Sequence, residues 1–537
     1  MKRWNGQAVI SSCCALLCAA AANAQGGRGG GDWATAGNDA QRSGWVRTDP
    51  KISPASMAKP GFAFLWKQKV ASDAKQLNSL TEAVLMERYI GYRGFRSLAH
   101  LGTSGDKVLG FDTDLGRIEW QKSIGTPSSQ AGTPACPGGM TTSLARMTGT
   151  AIAPVQAGGR GGGGGRGGPA KSGVGEPGEG SVILAQVAAQ QQQGGGGRGA
   201  RAGQPGALPG APGAPAAVRG GQQRMPTFVY ALSSDGKLHA MYVSNGDEPN
   251  PAVPFLPANA NAVGLTITGG VAYVATINGC GGAPNGVWAM DLESKQVTNW
   301  KASSSIAGTA GPAFGPDGTI YAGTEGGELV ALEPKTLKVV ATYNAGAPGF
   351  ASSPVIFDYK DKPLVAIASK DGSVHVLPST LESPLTKSPA ASSAGDVQTG
   401  ALTSWQDADG TRWVLAPSAG SVAAWKLAES NGTLALTRGW ASRDMVSPLP
   451  PMVMNGVVFA VSSGEFRGQD ATAAQRAQKS AKAVLYALDG KTGKELWNSG
   501  NTITSFVHSG GLSGAGSQLY LQTYDGTLYA FGFPIEH

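Results

Sequence analysis

The side chains able to do chemistry are few and scattered through short loop-like stretches. Glu87, Arg88, Tyr92 and Arg93 lie in MERYIGYRGF, Asn259 and Asn261 in PANANAVG, and Asp396 and Gln398 in AGDVQTG. Arg443 and Asp444 lie in ASRDMVSP and His508 in TSFVHSGG. Arg88, Arg93 and Arg443 are cationic donors suited to carboxylates. Asn261, Asp396 and Asp444 carry the amide and acidic oxygens that suit a hard divalent ion, an aspartate among them could act as a carboxylate base, and His508 is a further polar candidate. The same types occur in many polar channels, where they form salt bridges or solvated loop positions. No sequence motif fixes a catalytic residue or a metal ligand.

The elements that must position these residues are repeats. Eight copies of one phrase align on a small central residue: KVLGFD, KLHAMY, GVWAMD, ELVALE, SVHVLP, SVAAWK, VLYALD and TLYAFG. Their centres are Gly110, Ala240, Ala289, Ala331, Val376, Ala424, Ala487 and Ala530. The spacing stays in the forties except where residues 156–224 and 466–482 are inserted. Each copy follows another apolar run across a tight turn such as Ser234-Asp235-Gly236 or Tyr524-Asp525-Gly526, the pattern of a β-hairpin. A third run often precedes the pair, as in GPAFG, SPVIF and PPMVM, and a fourth often ends on tryptophan: Trp120, Trp300, Trp440 or Trp497. Four short strands per unit predict the blade of an all-β, eight-bladed β-propeller of antiparallel blades. The last copy lacks a fourth strand. FAFLWKQKV, with Trp66, is expected to supply it and seal the ring by pairing the two ends of the chain in one blade.

The phrase VLYALDGKTGKELW resembles the repeat of the pyrroloquinoline-quinone (PQQ) proteins, the quinoprotein alcohol dehydrogenase-like eight-bladed propellers. DWATAGNDAQRSGW, residues 32–45, resembles the opening of their mature domains. The resemblance covers residues 32–537 apart from the insertions. It implies structural tryptophans that pack against neighbouring blades. For activity it implies either a non-catalytic scaffold or a dehydrogenase carrying PQQ with calcium or a lanthanide. Many PQQ alcohol dehydrogenases hold the cofactor against neighbouring cysteines, and here the adjacent pair, Cys13-Cys14, falls in the leader.

Residues 1–24 read as a secretory signal, with Lys2 and Arg3, an apolar middle, and Ala22-Asn23-Ala24 as the cleavage site. Residues 25–31 are then a glycine-rich start. Of the five cysteines, Cys136 and Cys280 would remain after cleavage. In an oxidising compartment they read as one disulfide, against two unpaired buried thiols. In a propeller both would lie on the rim shared by blade-to-blade connections and the turns between second and third strands.

The net charge of +7 comes wholly from the leader and from residues 156–224, so the body is neutral and does not suggest a nucleic-acid groove. The Gly/Pro/Arg-rich strip reads as a surface insertion. Within it SVILAQVA, 181–188, competes with TSLARM, 142–147, for the innermost strand of the second blade.

The favoured expectation is an exported, periplasmic or secreted, non-catalytic propeller without a transmembrane segment. It would bind an envelope protein or a small-molecule ligand at a rim and require no cofactor. The alternative is a PQQ-dependent dehydrogenase for an alcohol or sugar-like substrate, passing electrons to a separate cytochrome. Its channel contacts would come from Arg88, Arg93, Asn261, Asp396, Arg443, Asp444 and His508.

Overall fold

The computed structural model describes residues 32–91, 94–127, 132–151, 227–390, 399–468, 470–508 and 510–534. Residues 1–24, expected to be a leader, the strip 156–224 with its SVILAQVA segment, and the candidates Tyr92, Arg93, Asp396 and Gln398 lie outside them.

Within these residues the repeats fold as read. Blade 1 runs Val84–Gly91, Gly94–Gly102, Lys107–Asp112 and Arg117–Ser123 as one antiparallel sheet. Blade 7 has the same plan: Met452–Met454, Val457–Ser462, Val484–Asp489 and Glu495–Asn498. Inner strands are buried on both faces, as in Val457–Ser462, because each blade is covered by two neighbours. Fourth strands such as Val297–Lys301 face solvent and turn polar. In blade 2 the innermost place goes to TSLARM: Ala145 exchanges both backbone hydrogen bonds with Tyr230, at 3.0 and 2.8 Å.

Closure occurs where the missing strand was expected. Ala63–Lys69 pairs antiparallel with Thr527–Gly532, setting Trp66 opposite Ala530 and Lys67 opposite Tyr529. This pairing covers an edge that would otherwise be exposed.

The fourth-strand tryptophans then link blade to blade. Trp66 of blade 8 lies over Gly116 in the blade 1 turn and donates its indole N–H to Thr113 O at 3.0 Å. Trp120 of blade 1 lies against Gly246 and donates to Val243 O of blade 2 at 3.0 Å. Trp440 of blade 6 packs on Gly493 and donates to Gly490 O of blade 7 at 2.9 Å. Each ring therefore needs a neighbouring turn without a Cβ.

The segment 32–49 does something the repeats do not announce. It circles inside the ring and hydrogen-bonds to the innermost part of every blade in turn. Trp33 exchanges backbone bonds with Leu85 of blade 1, and Arg146 N donates to Ala34 O from blade 2 at 2.7 Å. Thr35 Oγ1 donates to Leu265 O of blade 3 at 2.6 Å, and Phe314 N of blade 4 donates to Ala40 O at 2.9 Å. Ile356 N (blade 5), Ser404 N (blade 6) and Val453 N (blade 7) donate to Gln41 O, Ser43 O and Gly44 O at 2.8 to 3.0 Å. Ser517 N of blade 8 donates to Asp49 Oδ2 at 2.8 Å. Innermost strands leave one edge of backbone donors and acceptors facing the axis, and such groups need partners once water is excluded. The belt 32–49 supplies them.

Candidate functional site

Beside the belt lies a cavity of about 60 Å³, with Trp33, Gly37, Glu82, Thr403, Pro450 and Gly511 among its lining. Glu82 is the one ionisable side chain of this lining among the described residues. Trp33 Nε1 donates to Glu82 Oε1 at 2.7 Å, and the Gly37 and Gly511 amides approach the carboxyl at 3.4 and 3.3 Å. Burial pushes this carboxyl up to about 7, against those hydrogen bonds and the pull of Arg42. Sequence reasoning passed over Glu82. Its only signal was a single acid in the apolar SLTEAVL, just before the innermost strand of blade 1.

Arg42 is the cation nearest to that role, and its donors are already engaged. Its Nη1 bonds Thr35 Oγ1 and Ala36 O, its Nη2 bonds Gly264 O and Thr266 Oγ1, and its Nε bonds Pro312 O, all within 3.0 Å. Burial lowers its pKa to about 10, so it stays charged, locking the belt to blades 3 and 4.

The sequence-derived candidates that lie among the described residues do not converge. Asn261 is buried and donates to Ala135 O at 2.9 Å, as does Asn278. It thereby steadies the loop around the Cys136–Cys280 disulfide, whose Cα atoms are 5.5 Å apart. That bridge joins the connection between blades 1 and 2 to the hairpin turn of blade 3, on one rim as expected. Asn259 takes a left-handed backbone and donates its amide to Ser234 O at 2.7 Å.

Arg443 turns outward, to Glu495 at 2.9 Å on the fourth strand of blade 7 and over the Tyr486 ring, and Asp444 is exposed beside it. Neither enters the channel. Glu87 and Arg88 sit in a bulge within Val84–Gly91, past the strand's entry point and toward the opposite end of the bore. There the Glu87 amide donates to Asp32 Oδ1 at 2.8 Å. Burial, then repulsion from Asp32, pushes the Glu87 carboxyl up to about 7. Arg88 is exposed.

His508 gives its Nδ1 to Glu465 Oε1 at 2.5 Å, on the rim next to the bore. Among the described residues no group of three His, Cys, Asp or Glu side chains could hold a metal ion. No helix among them is long and apolar enough to cross a membrane.

Fold and repeat together define the class: an eight-bladed β-propeller of PQQ-type repeats. Residues 283–481, from the hairpin turn of blade 3 into the insertion of blade 7, match the PQQ_2 family model, described as outer membrane protein assembly factor BamB. Among solved structures, the quinohemoprotein alcohol dehydrogenase of Comamonas testosteroni is 12% identical. The match covers 94% of this chain and 81% of that one, with a TM-score of 0.52. BamB from Moraxella catarrhalis is 13% identical over 89% of this chain and 99% of that one, with a TM-score of 0.46. The likeness to the dehydrogenase shows the fold alone. No curated protein matches the chain.

Proposed function

We propose that this protein is an exported, non-catalytic propeller of the cell envelope that holds a protein partner on a rim. The observation that carries the reading is the small size of the cavity beside the belt. That cavity holds about 60 Å³, against the ~300 Å³ and upward of sites that enclose a small molecule or cofactor. Among the described residues the cavity lining offers one carboxylate and no cationic side chain, and the guanidinium of Arg42 is saturated by five protein acceptors. A quinone bearing carboxylates, with its divalent ion, does not fit the described part of this site. The match of residues 283–481 to an outer membrane assembly factor supports an envelope partner, and the leader-like residues 1–24 support a periplasmic or secreted location.

One observation favours the second reading, a PQQ-dependent dehydrogenase. Glu82 faces the cavity with a pKa near neutrality, the value suited to a general base. Titration of the purified protein with PQQ and calcium separates the two. The scaffold reading expects no uptake at micromolar cofactor and no dye reduction by alcohols. Stoichiometric uptake with alcohol-dependent dye reduction would replace it with the enzyme.

A further inference from the structure

Blade 7 carries an insertion between its second and third strands, and that insertion is a built structure. The helix Ala473–Lys479 has a capping box formed by Thr472 and Gln475, yet none of its residues is buried. A helix of this length has little stability of its own in water. Its base is tied down instead: Ala481 N donates to Gly464 O at 2.8 Å, and Phe466 N donates to Ser480 Oγ at 2.9 Å. Beneath it lies Glu465, whose side chain is 1% exposed.

Three cationic or basic groups surround that single carboxylate. Arg467 Nε donates to Oε2 at 2.8 Å and His508 holds Oε1 at 2.5 Å. Arg476 Nη1 stands 3.9 Å from Oε1, too far for a hydrogen bond. Arg476 Nε is buried with no partner. The two guanidiniums alone exceed the one carboxylate by a positive charge. Their side chains and the imidazole remain 21 to 25% exposed, so the excess is reachable from solvent. Apolar contacts lie alongside: Phe466, with Lys479 Nζ 5.1 Å from its ring centre, and Val446, whose carbonyl accepts from Gly464 N. Phe466 is 38% exposed and Val446 52%.

We infer that Arg476, Arg467 and His508 form a carboxylate-docking site for an acidic segment of a protein partner, flanked by Phe466 and Val446. An incoming carboxylate would take the Arg476 donors that Glu465 leaves unused. Glu465 presets the cluster by holding Arg467 and His508 in place.

This rests on the partner-binding reading above, and the test keeps the two apart. The full-length protein is titrated calorimetrically with acetylated hexaglutamate, with hexaglutamine, and with vesicles containing phosphatidylglycerol. Hexaglutamate is expected to bind and hexaglutamine not. Arg476→Gln should weaken binding about tenfold with an unchanged unfolding midpoint, while Lys491→Gln on the outer surface should leave it intact. The His508 ring resonances should shift on peptide addition. Absence of hexaglutamate binding, binding indifferent to Arg476→Gln, or binding of vesicles in place of peptide would each overturn the assignment. Failure here with PQQ still refused removes the site alone. Uptake and turnover of PQQ removes the scaffold reading and leaves the peptide result standing.

Discussion

Trp440 packs its indole on Gly493 of the next blade, whose backbone sits at φ 72°, and donates to Gly490 O across the same turn. A Cβ at Gly493 would come within 2.6 Å of the ring. The glycine is therefore required twice, by its backbone and by the close approach of a neighbour. Gly493→Ala is expected to cost about 2 to 3 kcal/mol, combining left-handed strain with overpacking. Gly432→Ala has a similar φ and nothing within 4 Å, so it should cost only about 1 kcal/mol. Urea unfolding midpoints of the two variants measure the contact between blades directly.

The belt makes a second expectation specific. Arg42 holds five acceptors drawn from the belt itself and from blades 3 and 4. Replacing it with leucine leaves buried carbonyls without donors, a loss on the order of 3 kcal/mol or more. Amide exchange in residues 33–46 should accelerate ahead of the outer strands. Uniform exchange across the protein would show that the belt is not a separately held element.

The two raised carboxyls predict how stability responds to pH. Glu82 titrates near 7 in the folded protein, against 4.5 for the unfolded reference. Between those values the folded state retains a proton that the unfolded state has lost, so stability falls as pH rises through the window. Glu87 contributes in the same direction. Below the window the penalty vanishes; above it the penalty is complete, on the order of 2 to 3 kcal/mol for Glu82. Glu82→Gln should match the parent at about pH 4 and exceed it at about pH 8. Equal stability of the two proteins at both pH values would contradict a buried, reluctantly ionised carboxyl.

The blade count, the hairpin turns, the closing strand with Trp66 and the structural role of the tryptophans were all readable along the chain. Each depends on a pattern confined to one repeat: alternating apolar residues, a turn glycine, a terminal tryptophan. For Cys136 and Cys280 the sequence left a disulfide and two unpaired thiols both open, and the structure has the bridge. Position within the repeat misled for Arg443, whose loop enters the right strand while its side chain leans out to Glu495. It misled for Glu87 and Arg88 because the innermost strand of blade 1 begins at Val84 and carries both toward the far end of the bore.

Periodicity alone thus determined the architecture, since local alternation and turn chemistry repeat with every blade and closure only joins the two ends. The belt, the isolation of Glu82 and the crowding of Arg467, Arg476 and His508 around Glu465 were decided by the ring. Trp33 and Gly511 reach Glu82 from opposite ends of the sequence, and Glu465 and His508 meet from separate loops. Contacts of that kind depend on how eight sheets converge on an axis, which no local run of residues encodes.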